Sequence, residues 1–210
     1  MTTKPLSIYA VLDRSGSMQG ERWSTAIESI NEYIKNLQKE KIEGEISITA
    51  FDSVHKPQPL GVTTRLTDVV TNQSIAYFEP LAKDVLQPSG GTPLYDAAGA
   101  IMDRALERNN ERTVIVILTD GEENQSREYT QAKIKDKVKM LQEKNWEVIF
   151  LGANFDVSAY TAGSGLNNTK FRNVDFTSKV ATQMMYTDLS SNTIAYATTG
   201  AAMNMADIKS

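Results

Sequence analysis

The run Ile8-Tyr9-Ala10-Val11-Leu12 is apolar at every position and stops abruptly at Asp13-Arg14-Ser15-Gly16-Ser17. A strand with one face in water alternates apolar and polar residues, whereas a strand apolar throughout needs cover on both faces. The loop at its exit carries a carboxylate and two hydroxyls at alternate positions, and Gly16 is expected to supply the backbone freedom that lets them converge. Asp13, Ser15 and Ser17 are hard oxygen donors, which suit Mg²⁺, Mn²⁺ or Ca²⁺. Zinc prefers imidazole or thiolate, and the chain has one His and no Cys. The competing reading of this loop is a hydrogen-bonded turn that only caps the following helix.

The layout of strand, polar exit and helix then recurs. Ile27, Ile30, Ile34 and Leu37 fall at helical spacing with charged residues between them, predicting an amphipathic helix from about Glu21 to Lys39. The segment EISITAFD gives a second strand ending at Asp52. An extended piece around Gln58 to Thr63, beside Pro57 and Pro59, belongs at a sheet edge because proline cannot donate to a ladder. From Leu66 to Leu86 the apolar spacing is compatible with short helices broken at Pro80, and no element is assigned there. Gly90-Gly91-Thr92-Pro93 opens a helix whose inward face carries Leu94, Ala97, Ala98, Ile101 and Ala105, with Pro93 suited to a first turn. Thr92 alone reads equally as its cap.

Arg112 to Leu118, RTVIVIL, is rich in β-branched residues and ends on Thr119-Asp120, followed by Gly121-Glu122-Glu123-Asn124. A helix from about Tyr129 to Lys144 buries Ile134, Val138 and Leu141, and its lysines at 133, 135, 137 and 139 read as a solvated face. WEVIFL (146–151) is a further strand. A short helix is expected after Gly152, and Phe171 to Phe176 suggests a last strand. Val180, Met184 and Met185 suggest a closing helix, with the methionines read as core. Strands alternating with helices argue for an α/β architecture: a doubly wound, mostly parallel, Rossmann-like central sheet flanked by helices on both faces. Ligands of such sheets bind beyond the carboxyl ends of the strands, where the strand order reverses. Asp13 and Asp120 are therefore candidates for a single site.

At 210 residues the chain fits one larger domain, taken as 1–189, with 190–210 as a weak helix or tail that can pack on it. A net charge of −4 argues against a nucleic-acid partner. No apolar run approaches membrane-spanning length, no signal-peptide core precedes the first strand, and the absence of cysteine fits a reducing compartment. The expectation is a cytoplasmic protein without a membrane partner.

Three separated motifs resemble the von Willebrand factor A domain, also called the integrin I-like domain. The family's metal-ion-dependent adhesion site (MIDAS) has an Asp-x-Ser-x-Ser loop after the first strand, matched by Asp13, Ser15 and Ser17. It has a threonine in a later loop, matched by Thr92, and an aspartate after the fourth strand, matched by Asp120. The resemblance covers roughly Leu6 to Phe176. It implies that Ser15 and Ser17 bind a divalent cation, Mg²⁺ or else Mn²⁺ or Ca²⁺, through their hydroxyls. Thr92 would do so directly or through water, and Asp13 and Asp120 largely through water. It further implies a free-standing bacterial or phage protein that binds partner proteins without catalysis, an Asp or Glu of the partner completing the cation's coordination. Arg14, Glu122 and Glu123 would surround the site as loop charges, Arg14 being placed to steer an acidic partner.

Two alternatives compete. One is a domain of this fold that no longer uses its metal. The other is a Mg²⁺-dependent phosphatase of the haloacid dehalogenase type, whose chemistry needs a second Asp where this chain has Ser15. A serine hydrolase lacks its nucleophile elbow, and His55 reads as a loop residue. The fingerprints GxxxxGK[ST] and GxGxxG are both missing.

Overall fold

The structure is a computed structural model that describes residues 5–56, 61–120, 123–152, 170–173 and 178–205. Among the described residues six strands form one sheet: β1 (Leu6–Asp13), β2 (Gly44–His55), β3 (Val62–Ser74), β4 (Arg112–Thr119), β5 (Glu147–Gly152) and β6 (Phe171–Asn173). Among the same residues four helices flank it: α1 (Glu21–Lys39), α2 (Leu94–Arg108), α3 (Gln131–Glu143) and α4 (Lys179–Thr199). The order across the sheet is β3-β2-β1-β4-β5-β6, and every pairing is parallel except the antiparallel edge pair of β2 with β3. The chain thus steps outward from β1 to one edge and returns to β4 on its other side. The strand order reverses between β1 and β4, where a doubly wound sheet leaves its ligand crevice.

The central strands are apolar throughout because successive side chains enter different cores. Ile8, Ala10 and Leu12 of β1, with Val114, Val116 and Leu118 of β4, pack with Ile27, Ile30 and Ile34 of α1 and with Met185 and Leu189 of α4. Tyr9 and Val11, with Ile115 and Ile117, pack on the opposite side with Ala98 and Ile101 of α2 and with Ile134 and Val138 of α3. Burial on both faces is the reason the alternating pattern of a half-exposed strand is missing.

Leu66 to Ser74, left without an assigned element above, lies within β3, and Ile75–Tyr77 is a single 3₁₀ turn. The spacing of Leu66, Val69 and Val70 imitates a helix face. The surrounding Thr63, Thr64, Thr67 and Thr71 make the segment β-branched, and pairing with β2 from His55 back to Glu45 decides its state. Residues 189 and 190 both lie within α4, an unbroken helix of 21 residues capped at its start by Ser178 and ended by Gly200 in the left-handed conformation. Ser190, Thr193 and Tyr196 are buried along it, and Met203 and Met205 beyond it are buried as well. One sequence expectation changes here: Val180 and Met184 are exposed, at 66% and 59%, and of the three only Met185 joins the core. The expected short helix after Gly152, residues 57–60 and the end of the segment from Phe171 to Phe176 lie outside the described residues.

Beyond β5 the chain is held by a buried ion pair. Lys170 Nζ donates to Glu147 Oε2 at 2.5 Å and to the Met203 carbonyl at 2.6 Å, and the Met203 amide donates to Glu147 Oε1 at 3.2 Å. Every charge in that contact has a partner, which burial of ions requires. No helix among the described residues is long and apolar enough to cross a membrane.

Candidate functional site

The carboxyl ends of β1 and β4 lie side by side, so the loops they feed meet. Asp13 closes β1 and is fully buried. Its Oδ1 accepts the Ser15 amide at 2.7 Å and its Oδ2 accepts the Thr119 hydroxyl at 2.6 Å. The carboxylate is thereby fixed between the first loop and the end of β4. Burial pushes its pKa up to about 6, against the opposing effect of the Thr119 and Ser15 hydrogen bonds, and the charge of Asp120 adds to the rise. A carboxylate so disfavoured gains from a positive ion beside it.

The two serine hydroxyls stand 3.0 Å apart, and Ser17 Oγ donates to Asp120 Oδ1 at 2.7 Å. Three oxygens from two loops are therefore linked in a chain through Ser17. At the Mg²⁺–oxygen distance of about 2.1 Å, neighbouring corners of an octahedron lie about 3 Å apart, so the spacing of these donors suits a shared hard cation. Chemistry agrees with spacing: the set consists of hydroxyls and carboxylates. Among the described residues no group of three or more His, Cys, Asp or Glu is placed to hold a metal, so a cation here would depend on the hydroxyls.

Thr92 arrives by way of the glycine loop. The Gly16 amide donates to the Gly90 carbonyl at 3.0 Å, the Ser89 amide to the Arg14 carbonyl at 2.8 Å, and the Gly91 amide to Ser53 Oγ at 2.8 Å. Thr92 itself, 3% exposed, is pinned by Asn124, which accepts its amide at 3.0 Å and donates its own amide to the Thr92 carbonyl at 3.1 Å. Its side chain does not cap α2: the cap position is Pro93, without a side-chain capping bond. The glycine that needs its freedom is Gly90, with φ of 74° and a carbonyl of Ser53 where a Cβ would stand. Gly16 is not among the residues with positive φ, and a Cβ on it would meet the Gly90 carbonyl at an ordinary 3.5 Å. The conformational freedom expected of Gly16 is not used.

The structure thus joins Asp13, Ser15, Ser17 and Asp120 in one hydrogen-bonded cluster and ties the Thr92 loop to it through the backbone. The charges around it differ from expectation. Arg14 is no free loop charge: it is 7% exposed and its Nη2 donates to Asp52 Oδ2 at 2.8 Å. Glu123 is equally engaged, accepting the amides of Tyr95, Gln125 and Ser126 and so fastening the loop after β4 to the start of α2. Asp96 answers from α2 by accepting the amides of Arg127, Glu128 and Tyr129. Glu122 lies outside the described residues. Lys137, expected in a solvated row, binds Asp103.

Two residues of the site escaped the sequence reading. Arg22 donates from Nη1 to Asp120 Oδ2 at 2.9 Å and to the Ser17 carbonyl at 3.0 Å, holding Asp120 with its other oxygen toward Ser17. A cation in the first turn of a helix opposes the helix dipole, and that misfit was a readable signal. Asp52 is the second; it follows Phe51, the register partner of Asp13, and β2 runs on to His55 rather than ending at Asp52 as the sequence suggests.

Fold and site together define a doubly wound domain with a loop of oxygen donors at its topological switch point. Over residues 7–198 the sequence matches the von Willebrand factor type A domain, and the chain belongs to that family, which often mediates metal-dependent protein binding. No relative was found among curated proteins. Solved structures share the fold. The pilus adhesin SpaC of Lactobacillus rhamnosus GG superposes with a TM-score of 0.67 at 14% identity, over 92% of this chain and 31% of that one. A von Willebrand factor type A protein of Catenulispora acidiphila gives 0.56 at 15%, over 92% and 43%. Manganese-loaded TRAP protein of Plasmodium vivax gives 0.55 at 16%, over 87% and 73%. This chain spans about a third of the length of the pilus adhesin it matches.

Proposed function

We propose that the chain is a metal-dependent protein-binding module without catalysis of its own, in which Asp13, Ser15, Ser17, Thr92 and Asp120 hold a divalent cation. The observation that carries this reading is the chain of contacts from Ser15 through Ser17 to Asp120, which brings oxygen donors of two loops within 3.0 Å of their neighbours. When bound, the cation would supply a Lewis-acidic position for a carboxylate of a partner protein. With Asp13 and Asp120 acting largely through water, the direct donors are neutral hydroxyls, so the ion's charge stays undercompensated and favours an external Asp or Glu. Mg²⁺ is the expected ion, with Mn²⁺ and Ca²⁺ as the other candidates; the manganese-loaded TRAP protein supports a divalent ion in this fold.

Against the phosphatase alternative stands the position two residues after Asp13, where Ser15 supplies a hydroxyl in contact with Ser17 rather than an acid. Against loss of the metal stands the buried, unfavourably charged Asp13, which fold stability alone does not require. We propose a cytoplasmic location, on the composition described above. Cell fractionation tests that placement, which matters because the matched SpaC is a pilus protein.

The test is affinity capture with the purified chain in Mg²⁺ or Mn²⁺, in EDTA, and with an Asp120→Asn variant. The reading requires a partner retained with metal and lost both in EDTA and with the variant, and a carboxylate on that partner whose amidation abolishes retention. A partner retained equally in EDTA would overturn it.

A further inference from the structure

Asp52 lies in β2 three residues before its last residue, one residue past the register partner of Asp13, and is fully buried. It takes no part in the candidate cation cluster, yet both loops of that cluster hang on it. Arg14 of the first loop reaches it at 2.8 Å, Ser89 of the glycine loop donates to it at 3.1 Å, and Arg65 of β3 grips both its oxygens, the Nε–Oδ1 contact being 2.7 Å. The next residue repeats the pattern, since Ser53 Oγ accepts the Gly91 amide. Arg14 lies between two proposed ligands in sequence, and Ser89 lies three residues before a third. Two guanidinium groups thus converge on one carboxylate in a place where Arg14 has almost no access to water. Without the carboxylate, Arg14 would be a buried charge without a counterion, and the side chain would leave and draw the loop with it.

We infer that Asp52 is a positioning residue for the candidate metal site, clamping the Asp13–Ser17 loop to the Ser89–Thr92 loop through Arg14 and Ser89. The inference deepens the metal reading and rests on it only for the effect on cation affinity. The clamp itself is a property of the metal-free chain. Arg65 closes the clamp from the sheet edge, which connects the edge strand β3 to the site.

Amide hydrogen exchange in EDTA and Mn²⁺ titration, on wild type, Asp52→Asn and Asp52→Asn/Arg14→Gln, test it. Asp52→Asn is expected to exchange faster at Gly16, Ser89 and Gly91 with β4 and α3 unchanged, and to bind Mn²⁺ about 10- to 100-fold more weakly, as loss of an outer partner does at metal sites. The double variant removes the stranded charge along with the carboxylate. It is expected to regain thermal stability while the two loops stay fast and Mn²⁺ binding stays weak. Wild-type exchange at both loops in Asp52→Asn would overturn the inference, and so would restoration of loop protection in the double variant, which would reduce Asp52 to charge balance. Absence of Mn²⁺ binding by the wild type would contradict the metal reading alone, because the exchange measured in EDTA still decides the clamp.

Discussion

Ser17 and Asp120 are 103 residues apart in the chain, and the serine hydroxyl donates to the carboxylate across 2.7 Å. That bond joins the exit of β1 to the exit of β4. Removing it by Ser17→Ala is expected to cost about 1 kcal/mol in the metal-free protein, the usual worth of one such bond or a little more for a charged acceptor. In Mn²⁺ the loss should be larger, since a donor to the ion disappears as well. Chemical denaturation of both proteins in EDTA and in Mn²⁺ measures the difference, and an equal loss in the two conditions would remove Ser17 from the cation site.

Gly90 offers a test of the loop that carries Thr92. Gly90→Ala forces a Cβ into a left-handed backbone position and against the Ser53 carbonyl, only 2.0 Å from where that carbon would stand. A loss of more than about 1 kcal/mol is expected, because strain and overlap add. Gly16→Ala is expected to be far milder. The two variants measured side by side by urea unfolding separate a glycine the fold needs from one it does not.

Lys170 and Glu147 form a buried pair, with side chains 8% and 7% exposed. Lys170→Met leaves Glu147 uncompensated and is expected to cost about 3–5 kcal/mol, whereas Lys170→Met/Glu147→Leu should recover much of that. Denaturation midpoints of the single and double variants give the answer. The same contact holds Met203, so the single variant should also raise amide exchange after α4.

Acid stability should depend on Asp68 and Asp103. Burial raises the pKa of each, but hydrogen bonds outweigh it, from Arg104 and Thr49 for Asp68 and from Lys137 and Tyr129 for Asp103. Both therefore lie below the ordinary 3.8 when folded. Between the folded pKa and 3.8 the unfolded chain binds more protons, so the contribution is present above about pH 4 and is lost as pH falls through the folded pKa. Asp68→Asn/Asp103→Asn should flatten the stability curve below pH 4. The carboxylates are 42% and 41% exposed, so the effect is small and shrinks in salt.

What sequence alone disclosed follows from where the information is local. The apolar run Ile8–Leu12, its polar exit and the period of α1 are each written within one turn or strand, and the structure reproduces them. The state of Leu66–Ser74 is not local: its side-chain spacing allows helix, and only β2 makes it a strand. The same holds for Arg14, which reads as a loop charge until Asp52, 38 residues on, is seen to accept from it. Asp13, Ser15, Ser17 and Asp120 were legible as a set because their types and exits match; Arg22 and Asp52, which hold them, were not, because a buried Asp and a surface Asp are written with the same letter. Val180 and Met184 erred the opposite way, apolar residues that the fold leaves in water.

The central claim is that a divalent cation binds at the exits of β1 and β4. Thermal unfolding of wild type and Asp120→Asn in EDTA, Mg²⁺, Mn²⁺ and Ca²⁺ tests it most directly. At about a hundredfold excess over its dissociation constant a cation adds about 2.7 kcal/mol, several degrees for a domain of this size. The account predicts such a rise for the wild type in at least one cation and none for Asp120→Asn. An unchanged wild-type midpoint in all three cations, or an equal rise in the variant, would contradict it.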